Sequence, residues 1–167
     1  MGEDLSLPGR EAIRTPMQWS YQPGAGFSSA ADLVRPVVST GPFGHRRVNV
    51  TAQRHDPSSL LGWFERMIRT LREIPEAGAG TCRAIDDEKI PVGVLIHRAD
   101  DHSGSMVFLH NLADEAVTVD LGSLAATADH PNQVFGDQLY DEPLDLGSLR
   151  LAGYGYRWIR LSRNAAG

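Results

Sequence analysis

From Thr81 to Leu161 the sequence runs in short β-type segments that no long helix interrupts. Thr81–Ile85, Gly93–Arg98, Ser105–Asn111, Ala116–Leu121, Gln133–Tyr140 and Leu149–Leu161 are rich in aliphatic, aromatic and β-branched residues. The clusters between them, such as Asp86-Asp87-Glu88-Lys89, Ala113-Asp114-Glu115 and Pro131-Asn132, are turn formers. Strands this closely spaced predict an antiparallel sandwich over residues 81–167. Near its end, Tyr154, Tyr156 and Trp158 alternate and are expected to share one face. That face is either a sugar-stacking platform or a sandwich edge packed against a preceding helix.

Upstream the period is different. Leu60, Leu61, Phe64, Met67, Ile68 and Leu71 recur at helical spacing and form one wide apolar stripe. Asp56 as N-cap, Pro57 at the first helical position and Ser58-Ser59 in the first turn make a start signal, and Pro75 with Gly78-Ala79-Gly80 ends the helix. Burying five or six such side chains contributes on the order of 1.5–3 kcal/mol each, so the stripe needs a large partner surface. If none is supplied, part of it is expected to stay uncovered, and the chain to self-associate or to need another chain.

The stretch Gly9–Phe27, GREAIRTPMQWSYQPGAGF, fits neither period. It predicts a long loop, with Met17 and Trp19 as anchors and Pro16, Pro23, Gly24 and Gly26 fixing turns. Long ordered loops in compact proteins carry function more often than short ones. Arg10, Glu11 and Arg14 either pair with one another and fix the loop, or leave Arg14 to donate hydrogen bonds to a ligand. Met1–Pro8 reads as short, polar and loose, and His45 as an exposed loop histidine.

Charge and cysteine usage exclude several classes. A net charge of −5, with no cluster of basic residues, gives no electrostatic footprint for nucleic acid or an anionic membrane. No apolar run approaches the roughly 20 residues that span a bilayer. The acidic, polar N-terminal residues do not read as a signal peptide, and Cys82 is the lone cysteine, so neither an internal disulfide nor a CxxC metal site is expected. No cofactor is implied. A cytoplasmic protein is the simplest reading.

Three words of sequence add a resemblance. GREAIRTPMQWS, AGFS and VNVTAQRHDPSSLLGWFERMIR resemble the α-amylase superfamily of glycoside hydrolases. Within it they look most like trehalose synthases (maltose glucosylmutases), with oligo-1,6-glucosidases and sucrose isomerases next. VFLHNLADEAVTVDL and the Gly153–Trp158 stretch look like the family's C-terminal β-domain. The resemblance implies an α+β fragment: the last loop and helix of a (β/α)8 barrel over residues 1–80, then an antiparallel β-sandwich C-terminal domain over 81–167.

It also implies a substrate side and a missing chemistry. The RTPMQW loop borders the acceptor side of the family's pocket, which makes Arg14 the candidate substrate-binding residue for a maltose- or trehalose-type sugar, provided a barrel is supplied. The family's retaining double displacement needs an aspartate nucleophile and a glutamate acid/base on earlier barrel strands. Neither these nor the family's stabilising aspartate has a counterpart here, so the chain is expected to be inactive alone, with no catalytic residue and no metal ligand. Arg54-His55-Asp56 resembles the family's Asn-His-Asp phrase but falls where its last barrel helix starts. An independent enzyme built on His55, Asp56 and Glu65 has little in its favour, since Asp56 reads as a cap and Glu65 as solvent-facing. The alternative function is a non-catalytic carbohydrate-binding or interaction module.

Overall fold

The computed structural model of the chain describes residues 9–102, 104–125, 130–140 and 142–162. The expected looseness of Met1–Pro8 falls outside them. The architecture is mostly antiparallel β-sheet with few helices. Two compact units divide the chain, Met1–Arg66 and Met67–Gly167. That division lies inside a helix, whereas the change to β-type sequence comes at Thr81.

The second unit holds the strands β1 (Thr81–Ala84), β2 (Val94–Asp100), β3 (Ser105–Asn111), β4 (Val117–Val119), β5 (His130–Gly136), β6 (Leu149–Leu151) and β7 (Tyr156–Ser162). They form a five-stranded antiparallel sheet in the order β1-β2-β3-β7-β5 and a β4-β6 pair. The β3–β7 register sets Val107 opposite Ile159 and Phe108 opposite Trp158. Alternation then sorts the side chains by face. Ile96, Val107, Leu109, Ile159 and Leu161 join Val119, Leu149 and Leu151 of the smaller sheet in one buried core. Ala99, Met106, Phe108 and Trp158 lie on the other face with Ile74, and Met67, Phe135 and Tyr156 pack around them partly buried.

The segment expected as one strand over Leu149–Leu161 is broken between β6 and β7. Tyr154 sits there at φ 54°, a left-handed conformation that ends a strand, and is 70% exposed. It therefore does not share a face with Tyr156 and Trp158. Gly153 makes this turn possible, because a Cβ there would overlap the Asp114 carbonyl.

The predicted helix is α2, Leu60–Arg72, but its start differs. A six-residue helix, α1 (Val50–His55), comes first, capped by the Asn49 side chain, which accepts the Ala52 N–H at 2.8 Å. Asp56 is the C-cap of α1, and its carboxylate accepts the Ser58 N–H at 2.8 Å in the turn that follows. Ser59 begins α2: its hydroxyl accepts the Gly62 N–H at 3.1 Å and its carbonyl the Trp63 N–H. Asp56 thus stabilises a turn, and Pro57 lies outside the helix. Its residues before α2 favour turns and caps alike, and the local hydrogen bonds decide between them. After α2, Pro75 opens the short helix α3 (Pro75–Ala79).

No residue of α2 is buried. Leu60, Phe64, Ile68 and Leu71 expose 61%, 44%, 51% and 37% of their surface, while Met67 of the same stripe packs partly buried on the sheet.

Candidate functional site

The loop from Gly9 to Asn49 is ordered by polar groups. It opens with a 3-10 turn, Gly9–Ile13, and makes a second over Pro23–Gly26. Gly24, Ala25 and Gly26 are all left-handed there, with φ of 63°, 55° and 67°. Ala25 is fully buried, and its carbonyl accepts both the Trp19 and the Ser20 N–H at 2.9 Å. Two hydrogen bonds at one buried carbonyl hold a non-glycine residue where it costs energy to stand.

Gln18 is the anchor of the loop. Its amide nitrogen donates to the carbonyls of Phe43 at 3.1 Å and Val48 at 2.6 Å, while its own backbone carbonyl accepts the Val50 N–H. Met17 and Trp19, the anchors expected from the sequence, flank it half-exposed at 49% and 47%. The apolar neighbours point outward and the glutamine inward because three backbone carbonyls and N–H groups converge on position 18. His45 is buried as well, contrary to its expected exposure: its ring nitrogen Nδ1 lies 3.2 Å from the Val38 carbonyl, and its backbone carbonyl accepts from Asn49 at 2.9 Å. Gln18, His45 and Asn49 were not singled out as organisers, since no periodic signal marks a residue that caps a loop.

Beside Gln18 lies a cavity of about 210 Å³ whose lining includes Ile13, Met17, Val48, Val50 and Gln53. Arg14 stands exposed at the same stretch of loop, and no described carboxylate pairs with it. The alternative pairing through Glu11 lies outside the described side chains. His55 is tied to its own helix, Nδ1 lying 2.7 Å from the Thr51 carbonyl, and Glu65 is exposed on α2. These groups do not converge on an acid/base site.

The buried charges of the second unit are committed to structure. Glu76, 2% exposed, meets Arg160 at 3.1 Å, and Arg160 also donates to the Glu73 carbonyl. Arg98, buried, bonds Asp100 at 2.7 Å, and Ser105 donates to the same carboxylate. Burial pushes the Asp100 carboxyl up, but the Ser105 hydroxyl and the Arg98 and Arg83 guanidiniums outweigh it and hold it below its ordinary value. Among the described residues, no group of three His, Cys, Asp or Glu side chains could hold a metal ion, and no helix is long and apolar enough to cross a membrane.

Comparison with known proteins agrees with this layout. The model of the sucrose hydrolase-like C-terminal domain matches residues 104–160, the span from β3 to β7. A trehalose synthase of Pimelobacter sp. (strain R48) is 31% identical over 97% of this chain, and one of Thermus thermophilus is 31% identical over 96%. The trehalose synthase/amylase TreS of Mycobacterium tuberculosis is 27% identical over 100% of the chain. This chain spans 29%, 17% and 28% of the lengths of those three proteins. The trehalulose synthase MutB from Pseudomonas mesoacidophila MX-45 has the same fold over 91% of this chain and 26% of its own, with a TM-score of 0.70 at 19% identity. By sequence along its length and by fold, the chain is related to the C-terminal part of trehalose synthases, within the α-amylase superfamily of glycoside hydrolases.

Proposed function

We propose that this chain is the C-terminal portion of a maltose–trehalose interconverting enzyme and has no glycosidase or glucosyl-transfer activity by itself. The observation that carries this reading is the alignment of 97% of the chain with only 29% of a trehalose synthase. In this reading residues 1–80 form the last loop and helix of a (β/α)8 barrel, and residues 81–167 its β-domain. Active sites of such barrels lie at the C-terminal ends of the strands, where the loops gather. The Arg14 loop then borders the sugar pocket, and Gln18, His45 and Asn49 give it the rigidity that positioning requires. A cytoplasmic enzyme fits the single exposed thiol of Cys82. Purified chain is incubated with maltose, and trehalose and glucose are measured. No product above background is expected; turnover that co-purifies with the chain through successive columns overturns the reading.

A second reading, an interaction module, is favoured by the uncovered face of α2. Exposed apolar patches of this kind mark interfaces. Here the chain either self-associates through α2 or docks on a barrel-bearing partner. Sedimentation of the wild-type chain against Phe64→Glu decides it. Association that the substitution abolishes supports an interface, and a wild-type monomer at high concentration removes self-association.

A further inference from the structure

The outer face of the five-stranded sheet carries a titratable group that the proposed function does not use. His110 on β3 lies between His97 on β2 and Tyr156 on β7, with ring centroids 6.0 and 6.3 Å away. The indole Nε1–H of Trp158 can only donate, and it lies 3.4 Å from His110 Nε2. Nε2 is therefore the unprotonated nitrogen, and the single ring proton sits on Nδ1. Nδ1 is buried and has no hydrogen-bond partner among the described residues.

Trp158 connects this ring to the segment that covers the sheet. Its side chain packs edge-on against Phe108 at 5.2 Å and lies in one buried cluster with Ile74, Ala99 and Met106, beside Met67. The titratable and charged groups around His110 are few. β2 presents His97, and β7 presents Tyr156 and, farther along the same face, Arg160, which Glu76 of α3 neutralises. β5 brings Phe135, which is uncharged. Among the described residues no carboxylate pairs with either imidazole.

We propose that His110 is an acid-operated latch: protonating Nε2 removes the acceptor of the Trp158 indole, places a cation beside the His97 ring, and frees Met67 and Ile74–Ala79 from the outer face. The opposite face buries an aliphatic core beside Arg98 and Arg157, and no histidine is buried there among the described residues, so it is expected to stay closed. Burial, and after it the His97 ring, push the His110 imidazole below its ordinary value. The folded state thus binds this proton more weakly than the unfolded chain. The latch is fully closed above about pH 6.5 and loosens as pH falls below that value.

Hydrogen exchange of the full chain at about pH 7.5 and about pH 5, corrected for intrinsic rates, tests the latch. Protection of the Trp158 indole and of the Ala77 and Gly80 amides is expected to fall at the lower pH relative to Val107–Leu109. His110→Gln keeps an acceptor without titrating and should remove the pH dependence. His97→Gln should move the midpoint upward by relieving the neighbouring charge. Equal protection of the Trp158 indole at both pH values, or pH dependence that survives His110→Gln, overturns the proposal. If His110→Gln does not fold, the His110 ring-proton titration in His97→Gln decides, and an unmoved midpoint overturns it.

Discussion

The two units of this chain bury opposite kinds of residue. In Met67–Gly167 the core is aliphatic, with Ile96, Leu109, Leu149, Leu151 and Ile159 at 0–1% exposure between strands that satisfy one another's backbones. In Met1–Arg66, Ala25 is the one apolar side chain buried among the described residues, and Gln18, Gly44, His45, Asn49 and Ser59 occupy the remaining buried places. Many of its large apolar side chains, Ile13, Trp19, Tyr21, Phe27, Val34 and Phe43 among them, are exposed. A core of the first kind stabilises a fold through area removed from water, while one of the second kind fixes a shape without supplying much stability. The comparison therefore separates a unit held by buried apolar area from one held by polar contacts.

The largest expected effect lies in the aliphatic core. Leu151→Ala should destabilise the second unit by about 2–5 kcal/mol, read as a drop in the denaturant midpoint. A loss under 1 kcal/mol would contradict the assignment of stability to this core. Next comes Gln18→Ala, which leaves the Phe43 and Val48 carbonyls without their donor at a cost of about 1–3 kcal/mol. Its damage should stay local: exchange of amides in residues 15–50 accelerates while the global midpoint is unchanged. A coincident shift of both units would break the comparison. The smallest effect is expected from Phe64→Ser on α2, within about 0.5 kcal/mol, because the ring is 44% exposed. A larger loss would mean that the ring is covered in solution.

What the sequence made legible follows the same divide. Ser105–Asn111 is β3 to the residue, and the other strands lie within the expected segments or a few residues from them, because alternation and turn clusters are local signals. The β6–β7 break was hidden by the aromatic run, although Gly153 and Gly155 marked it. In the first unit the words of sequence pointed to the family, but not to which residues hold the loop. Gln18 and His45 act through backbone carbonyls twenty or more and seven positions away, and no periodicity announces such contacts. The helix α1 carries no long periodic stripe, being six residues long, and the Asn49 cap is its main local signal. Arg14 was legible as a loop residue and lies exposed there.

The Glu76–Arg160 pair has a consequence for anyone dividing the gene into separately expressed pieces. A piece starting at Thr81 begins at the first strand, yet it strands the Arg160 guanidinium, whose carboxylate partner among the described residues, Glu76, lies upstream, and uncovers the Trp158 side that Ile74 shields. Starting instead at Met67 keeps both. Soluble yield of the two pieces from parallel expression should therefore favour the longer one, even though the shorter one contains every strand.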